Sequence, residues 1–485
     1  MTARAIRPDK SDIQGLVVYG YSLDCSRHFV LRVKHVYKAR RFLGELVKQR
    51  LITDASTRSG DVQLMNNRGP SALNVGITYR GLEKLGLPAR YLHVFRQKAR
   101  AFAEGAYPRA ARRLADTGPS AAQLWDRRFK PERAHVLLSV YADKGVDWQE
   151  VTARLKRVRG AYGLLGWDHP FDAEHLTTEK EGRREHFGFR DGISQPAVRG
   201  FHKEKEKQKL HEPGEFLLGY NNDENFNPWM LPFPHLLPWL LPVQPDDHPD
   251  FFRNGSFGVF RKMQQDVEGF NASVGNWADK LAGRHNIKNG PEYVKAKLCG
   301  RWSDGSVVTA ASPSAPYLAP NPGVKVADEA LNAFDFSDDE EGLGCPYGAH
   351  IRRMNPRADK VVPFRKRPLL RRGMPYGPKF VPGSENERGL LGLFFCASLE
   401  DQFEHLLAEW GDQNPMGPDN RGNAKDPLVG NHEDSKAVFD IPVEGEDLRQ
   451  LDGFKPYVTT RGTLYAFYPG IKALGQISVM SKPAS

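Results

Sequence analysis

The chain has 485 residues, of which 40% are hydrophobic and 26% are charged, and this composition excludes an intrinsically disordered or fibrous protein. Its length predicts two domains, because a single hydrophobic core rarely grows beyond about 250–300 residues. The 69 Lys and Arg residues outnumber the 59 Asp and Glu residues by 10, and this positive charge favours anionic partners.

Other features of the sequence disfavour several classes of protein. No stretch approaches the roughly 18 apolar residues of a membrane span, and no basic array is interleaved with aromatic residues, so we expect neither a membrane nor a nucleic acid as partner. The N-terminal MTARAIRPDKSDIQ has no apolar segment and no twin-arginine pair, which predicts a cytoplasmic protein. The widely spaced cysteines form no CxxC pair and no zinc pattern, and reduced thiols fit them.

The first third of the chain alternates strand and helix signals. Runs rich in β-branched and aromatic residues predict strands, and apolar residues at helical spacing predict helices. The predicted strands are QGLVVYGYSL (14–23), HFVLRVKHV (28–36), SALNVGITY (71–79) and AHVLLSVYAD (134–143), and the predicted helices are ARRFLGELVKQRLI (39–52) and WQEVTARLKRV (148–158). This order predicts an α+β layer with an antiparallel sheet, as in a ferredoxin-like unit.

A charged run at 202–215 fits a solvated loop. After it, the second half of the chain shows the same kinds of strand and helix pattern as the first. Strands are predicted at GSFGVFRKM (255–263), GLLGLFFCA (389–397) and TLYAFYPG (463–470). A helix is predicted from Ser398 to Trp410, with Ser398 and Asp401 placed to cap its first turn. We therefore expect two related domains, 1–205 and 206–485, the second with a long irregular insertion between about 215 and 345.

Two segments carry polar residues that could perform chemistry. In HFGFRDGISQP (186–196), Gly188 and Gly192 flank Asp191, and glycines on both sides allow a carboxylate to approach a ligand closely. The alternative is a turn residue that bonds its own backbone. In CPYGAHIRRMNPR (345–357), His350 lies among small residues and is followed by arginines. Imidazole is a common ligand of haem iron, and arginines suit haem propionates, although a lone histidine is more often a surface or core residue.

A third segment, LLRRGMPYG (369–377), places an arginine pair before a turn, and alone it could be a basic loop. Together and in this order, the three segments resemble the GxxDG motif, the proximal-histidine segment and the distal-arginine segment of the dye-decolorising peroxidases. The resemblance extends from about residue 12 to 470 through DIQGLVVYGY, GEFLLGY, NGSFGVFRKMQQDVEGF, AKLCGRWSDGS, GLLGLFFCASLEDQFE and DPLVG. It is closest to the larger, cytosolic or fungal-like branches of the family.

The resemblance implies two ferredoxin-like domains in the barrel-like arrangement of the dimeric α/β barrel proteins, with haem b in the second domain. It implies a peroxidase that uses hydrogen peroxide to oxidise dyes, phenolics or similar donors. His350 would be the proximal iron ligand, Asp191 the acid–base group and Arg371 the group that stabilises charge. A homo-oligomer is compatible with this fold. In the compact bacterial branch an asparagine lies two positions after the distal arginine, whereas this chain has Gly373.

Four further roles are implied by the resemblance, each with a structural alternative. Asp426 would accept a hydrogen bond from His350, or it is a turn residue before a proline. Arg357 would bind a haem propionate, or it forms a surface salt bridge. Leu393 and Phe395 would cover the distal face of the haem, or they simply alternate along a buried strand. Bulky donors would need aromatic relays, and the candidates, which nothing in the sequence ranks, are Trp302, Tyr376, Trp410 and Tyr457.

Other haem functions remain open at this point. A haem carrier or sensor would have no need of the pair Asp191 and Arg371, which favours the peroxidase. An enzyme that removes iron from haem is a second alternative. Thiolate ligation is a third, but Cys396 lies within an apolar run without the loop that such a ligand needs, so a buried thiol is favoured.

Overall fold

The computed structural model describes residues 7–57, 71–177, 182–204, 207–229, 251–282, 289–308, 331–358, 367–413, 425–443, 445 and 448–480. Its strands are β1 (Cys25–Val33), β2 (Ser71–Ile77), β3 (Val136–Ala142), β4 (Leu164–Leu165), β5 (Phe171–Glu174), β6 (Ala197–Val198), β7 (Leu210–His211), β8 (Ser256–Gln265), β9 (Leu370–Arg371), β10 (Met374–Tyr376), β11 (Gly389–Cys396), β12 (Phe439–Ile441), β13 (Arg449–Leu451) and β14 (Val458–Tyr468).

The helices surround these strands. They are α1 (Gly15–Val18), α2 (Val36–Lys48), α3 (Tyr79–Lys84), α4 (Ala89–Lys98), α5 (Arg100–Glu104), α6 (Ala106–Arg113), α7 (Trp148–Arg157), α8 (Val267–Ala282), α9 (Gly290–Cys299), α10 (His350–Met354), α11 in two turns (Leu399–Glu404 and Leu406–Gly411) and α12 (Ile471–Val479). No helix in the described ranges is both long and apolar enough to cross a membrane.

A large antiparallel sheet occupies the centre of the molecule. Its strands run in the order β10–β11–β8–β14–β2–β3–β1–β4, while β5 also pairs with β1 and β9 with β11. Every residue of β2 and β3 is buried, which explains why these strands are nearly continuous apolar runs rather than alternating ones. The predicted α+β class with an antiparallel sheet is confirmed.

The sheet joins strands from both halves of the chain. Strand β14 pairs with β8 along its length and meets β2 where Phe467 lies opposite Ile77. The two ends of the sheet approach each other around Lys262, whose Nζ lies 5.7 Å from the ring centre of Phe171 in β5 and 5.0 Å from that of Tyr376 in β10. The arrangement is barrel-like, although the described strands close no complete barrel. The domain boundary at 205/206 stays a prediction.

One predicted strand is wrong. The apolar run at 14–23 does not form a strand: Gly15–Val18 is a single buried helical turn, and β1 begins only at Cys25. Gly15 donates its backbone N–H to Thr53 O at 2.9 Å, and a Cβ there would lie 2.7 Å from Asp54 O. Periodicity alone cannot distinguish a short buried strand from a buried helical segment. Here the close contact of Gly15 with residues 53–54 favours the helical turn.

The stretch 215–345 is more regular than the sequence predicted. Besides the predicted strand β8, it contains α8 and α9. Helix α8 buries one face, made of Val267, Phe270, Val274, Trp277, Ala278 and Leu281. This helical spacing was present in the sequence, and its burial against a second apolar cluster beside the sheet is the physical reason for the correction. Residues 230–250, 283–288 and 309–330 of the stretch lie outside the described residues.

The helix predicted from 398 to 410 is present as α11, but both of its turns are wound as π-helix. Ser398 caps it as expected, since its side chain accepts a hydrogen bond from Asp401 N at 3.1 Å. Such wider turns are rare and are found mostly at functional sites. Phe403, Leu406 and Leu407 of α11 face the cavity described next.

Candidate active site

A deep cavity lies between the apolar cluster around the large sheet and the second cluster around α8. Its volume for water-sized molecules is about 350 Å³. Much of its wall is apolar, and side chains from both clusters contribute, including Phe187, Phe336, Phe394, Phe403 and Leu407. His350, Asp191, Arg371 and Arg357 also line it, so four of the predicted site residues, far apart in sequence, meet in one cavity.

His350 is the first residue of α10, and its imidazole is oriented by a buried carboxylate. Its Nδ1 donates to Asp426 Oδ2 at 2.8 Å, which leaves Nε2 on the opposite side of the ring. Asp426 is fully buried, and its other oxygen accepts hydrogen bonds from the backbone N–H groups of Leu428 (2.9 Å) and Val429 (3.0 Å). Both interpretations of Asp426 therefore describe what it contacts: it shapes a turn and it holds the imidazole.

The charge of Asp426 is retained despite its burial. Burial alone would raise the pKa of this carboxyl, but His350 and Arg353 outweigh burial, and the pKa lies below its ordinary value. An ionised carboxylate accepts a stronger hydrogen bond than a neutral one. It therefore fixes the tautomer of His350 with the proton on Nδ1, and leaves the lone pair of Nε2 free for a ligand.

Asp191 and Arg371 lie together on the cavity wall. Positive φ angles at Gly188 (96°) and Gly192 (76°) shape the loop of Asp191, whose Oδ1 accepts the N–H of Gly192 at 2.7 Å. Burial lowers the pKa of the Arg371 guanidinium, and the negative charge of Asp191 opposes that shift. The two side chains thus interact electrostatically, and Asp191 also serves the turn that the sequence offered as its alternative.

Arg357 belongs to a group of cations at the cavity wall. Its Nη1 donates to Asn332 O (2.8 Å) and its Nη2 to Ser194 Oγ (2.7 Å). Burial, together with Arg301 and Arg371, lowers the pKa of Arg357 to about 9, and burial lowers that of Arg301 to about 10. Within the described part of the chain, no carboxylate forms an ion pair with Arg357 or Arg301, so the pair has unused capacity for an anionic group.

Leu393 and Phe395 are placed differently from the expectation. Both are buried in the sheet core, where Leu393 lies opposite Phe260 of β8 and Phe395 packs edge-on against Tyr468. The cavity wall is instead formed by Leu390 and Phe394 of the same strand. Because side chains alternate across a strand, an error of one residue exchanges the two faces. For Leu393 and Phe395 the correct interpretation is therefore the alternative one, in which they alternate along a buried strand.

Several polar cavity residues were not predicted from the sequence, and Arg301 and Glu185 are two of them. Arg301 lies in the segment AKLCGRWSDGS, which resembles the family as a whole, but nothing in the sequence separates this arginine from other basic residues. Glu185 lines the cavity, accepts the N–H groups of Phe187 and Phe189 at 2.9 Å each, and has its pKa raised by burial and by Asp191. In the sequence it lies within the charged run EGRRE, which is typical of a solvated loop.

The thiolate alternative gains no support from Cys396. This cysteine is fully buried in β11, does not line the cavity, and burial raises the pKa of its thiol well above the ordinary value. The four aromatic relay candidates, Trp302, Tyr376, Trp410 and Tyr457, are all buried, so none of them is itself a surface contact for a bulky donor.

Comparison with known proteins finds relatives over most of the chain. Residues 239–419 match the family model described as "Dyp-type peroxidase, C-terminal". The chain is 26% identical to dye-decolorizing peroxidase msp1 of Mycetinis scorodonius, over 96% of this chain and 86% of the relative. It is 28% identical to a dye-decolorizing peroxidase of Exidia glandulosa, over 83% of this chain and 75% of the relative.

Solved structures give the same result. An ancestral D-type dye-decolorizing peroxidase superposes with a TM-score of 0.77 at 26% identity, covering 97% of this chain and 99% of the other. A dye-decolorizing peroxidase in complex with 2,6-dimethoxyphenol, at 23% identity and a TM-score of 0.76, covers 97% of this chain and 99% of the other, and shares the fold. Over nearly its whole length the chain is therefore similar to dye-decolorising peroxidases in both sequence and fold, and this similarity supports a haem peroxidase.

Proposed function

We propose that this protein uses hydrogen peroxide to oxidise dye-like or phenolic one-electron donors at a haem b bound in the described cavity. The observation that carries the proposal is the meeting of His350, Asp191 and Arg371 on one cavity wall, with His350 held by a buried carboxylate. A relative of the same fold binds 2,6-dimethoxyphenol, which supports aromatic donors as the substrate class.

The cavity residues fit a haem group. Nε2 of His350 would ligate the iron, because Nδ1 is already committed to Asp426. Arg357 and Arg301, which have no carboxylate partner among the described residues, would bind the haem carboxylates. The apolar side chains of Leu390, Phe394 and Phe403 suit the porphyrin faces and edges. When bound, haem supplies the redox-active iron.

Asp191 performs the proton transfer in this proposal. Cleavage of the O–O bond requires that the proton on one peroxide oxygen moves to the other, so that water can leave. The Asp191 carboxylate takes up this proton and returns it to the outer oxygen, and such acid–base help accelerates reactions by roughly 10²–10⁴-fold.

Arg371 stabilises charge in the same step. Its guanidinium remains charged throughout, and in a cavity of low dielectric constant a fixed positive group lowers the energy of the negative charge that develops on the departing oxygen. Leu390 and Phe394 limit the access of water and larger molecules to this region.

The experiment that tests the function is an absorption spectrum of the haem-loaded protein before and after one equivalent of peroxide, followed by addition of a dye or a phenol. We expect the Soret band to shift with peroxide and to return when the donor is added. A haem carrier would bind haem without this cycle, and an iron-releasing enzyme would leave free porphyrin. Either result would contradict the proposal. The cytoplasmic location and a homo-oligomeric state stay predictions.

A further inference from the structure

Strand β9 pairs with β11 on one side, and the backbone N–H on its other side needs a hydrogen-bond acceptor. The backbone N–H of Arg372 donates to Leu393 O of β11 at 2.7 Å, so this N–H forms part of the hydrogen bonding of the sheet. Successive N–H groups of a strand point in opposite directions, and that of Arg371 points away from β11. It donates instead to the side-chain Oε1 of Gln195 at 2.9 Å. An amide side chain thus takes the place that a neighbouring strand would otherwise occupy.

The same short segment also holds both arginine side chains. The guanidinium of Arg371 donates to the backbone carbonyl of Ser194, and Nη1 of Arg372 donates to Gln195 Oε1 at 3.3 Å. Residues 194 and 195 follow directly on the loop of Asp191. Arg371 is therefore attached, by its backbone and by its side chain, to the segment that carries the acid with which it has to cooperate.

The chemistry of a glutamine suits this position. Two adjacent arginines repel each other, and Gln195 Oε1 lies within hydrogen-bond distance of a donor from each. A carboxylate could accept the same bonds, but its negative charge would compete with Asp191 for the Arg371 guanidinium. A neutral amide oxygen provides the acceptor without that charge.

We propose that Gln195 is a positioning residue that fixes Arg371 relative to Asp191 for the reaction with peroxide. The inference rests on the proposed function in assigning peroxide chemistry to that pair. Gln195 acts through Arg371 and does not touch the peroxide, so its effect has to be visible in the structure of β9 as well as in the kinetics.

The first test is hydrogen exchange of the backbone amides of Arg371 and Arg372, resolved to single residues, in the haem-loaded protein and in the haem-free protein. In Gln195→Leu, which keeps the size but lacks the acceptor, we expect exchange at Arg371 at least about tenfold faster and exchange at Arg372 unchanged. Gln195→Glu keeps an acceptor and should keep Arg371 slow. Ser194→Ala, which removes only the hydroxyl that binds Arg357, is the matched control and should leave Arg371 as in the wild type.

The second test is steady-state kinetics. Gln195→Leu should lower kcat/KM for peroxide by about 10–100-fold, since a misplacement near 1 Å can cost that much, while the KM for the dye stays unchanged. Gln195→Glu should also lower kcat/KM for peroxide, in spite of its slow exchange at Arg371, because the added charge weakens the field of the guanidinium. If Gln195→Leu fails to fold, Gln195→Asn, whose shorter amide cannot reach Arg371, replaces it.

Unchanged exchange at Arg371 in Gln195→Leu, or unchanged kcat/KM for peroxide in that variant, overturns the inference. A wild-type protein that shows no reaction with peroxide would refute the proposed function instead. The exchange measurement distinguishes the two cases, because the bond between Arg371 and Gln195 does not depend on any reaction.

Discussion

The imidazole of His350 has one of its two nitrogens committed to Asp426, at 2.8 Å. A histidine without such a partner exchanges tautomers and rotates, whereas this one presents Nε2 in a fixed direction. The carboxylate is fully buried and held by two backbone N–H groups, so it cannot move away without losing several hydrogen bonds at once. The direction of Nε2 is thus set by residues 76 positions away in the sequence.

We expect Asp426→Asn to weaken haem binding by about 10–100-fold, because a neutral amide forms a weaker hydrogen bond to Nδ1 and orients the ring less firmly. The measurement is the rate and extent of haem loss to an excess of a haem-scavenging protein. Asp168→Asn, at an exposed carboxylate, is the control and should retain haem like the wild type. Equal haem retention in the two variants would contradict the role assigned to Asp426.

Asp191→Asn removes the group that moves the proton, and Arg371→Leu removes the positive charge beside it. We expect each to slow the peroxide-induced change of the Soret band by about 10²–10⁴-fold while haem stays bound, since neither residue is assigned to the cofactor. Stopped-flow absorption measures this rate. A wild-type rate in Asp191→Asn would refute the acid–base role.

For single residues, the sequence identified the site residues with distinctive chemistry. It did not identify which side chains of an apolar strand face the cavity. Asp191, His350 and Arg371 lie in segments with unusual neighbours, and the cavity brings all three together. Leu393 and Phe395 were assigned to the wrong face, because a wholly apolar strand carries no polar alternation to reveal which side chains face the cavity. Glu185 and Arg301 could not be predicted. What distinguishes them from other charged residues is their enclosure in the cavity, and the local sequence does not show this enclosure.

At the scale of elements, a buried ion-pair network joins the helices on one side of the sheet. Arg109 of α6 binds Glu404 of α11 through two nitrogens, at 2.6 and 2.5 Å, and both side chains are almost fully buried. Tyr465 of β14 donates to Glu404 at 2.9 Å, and Glu104 at the end of α5 accepts from Arg109 at 2.7 Å. The network holds the π-wound helix α11, which lines the cavity, against the sheet.

Arg109→Met should destabilise the protein by about 3–5 kcal/mol, because it leaves the buried carboxylate of Glu404 without its cation. The free energy of unfolding in urea measures this loss. Arg112→Met removes an exposed arginine that also contacts Glu104, and it should cost less than about 1 kcal/mol. Similar losses in both variants would show that burial of the pair is unimportant.

The network also predicts a dependence of stability on pH. Burial alone would raise the pKa of Glu104, but Arg109, Arg100 and Arg112 lower it from 4.5 to about 2. The carboxylate therefore contributes to stability fully above about pH 4.5, and the contribution disappears as the pH falls toward 2. We expect Glu104→Gln to be less stable than the wild type by about 1 kcal/mol at pH 7, since the site is partly exposed.

At pH 2 the difference between Glu104→Gln and the wild type should be much smaller than at pH 7, because about half of the wild-type carboxyl is then protonated in the folded protein. Urea unfolding of both proteins between pH 2 and pH 7 checks the sign. A difference that grows on acidification would contradict the proposed network.

Most elements could be predicted because their patterns are local. The runs of β2, β3, β8 and β11 are apolar and β-rich, and the structure has strands there. The helical turn at Gly15 and the π-winding of α11 depend on contacts with distant residues, which no local pattern contains. Helix α8 is a different case, since its spacing was visible and only its interpretation as part of an irregular insertion was wrong.

For the molecule as a whole, the excess of positive charge bears on the choice of donors. A net charge of +10 attracts anionic molecules over distances up to about one Debye length, which shrinks from about 30 Å at 0.01 M salt to about 8 Å at 0.15 M. We expect kcat/KM for a sulfonated dye to fall severalfold as salt rises across this range. An uncharged phenol is the control and should show no such dependence. Equal salt dependence for both donors would contradict electrostatic steering.

The position of β14 has a consequence for how the chain is made. This strand, which ends at Tyr468, lies between β8 and β2 in the middle of the sheet. During synthesis, β1 to β3 and β8 to β11 emerge first, and each group presents an open edge until residues 458–468 leave the ribosome. Nascent chains are thus exposed to edge-to-edge aggregation until residues 458–468 have been made, and a truncation before residue 458 would leave two unjoined half-sheets.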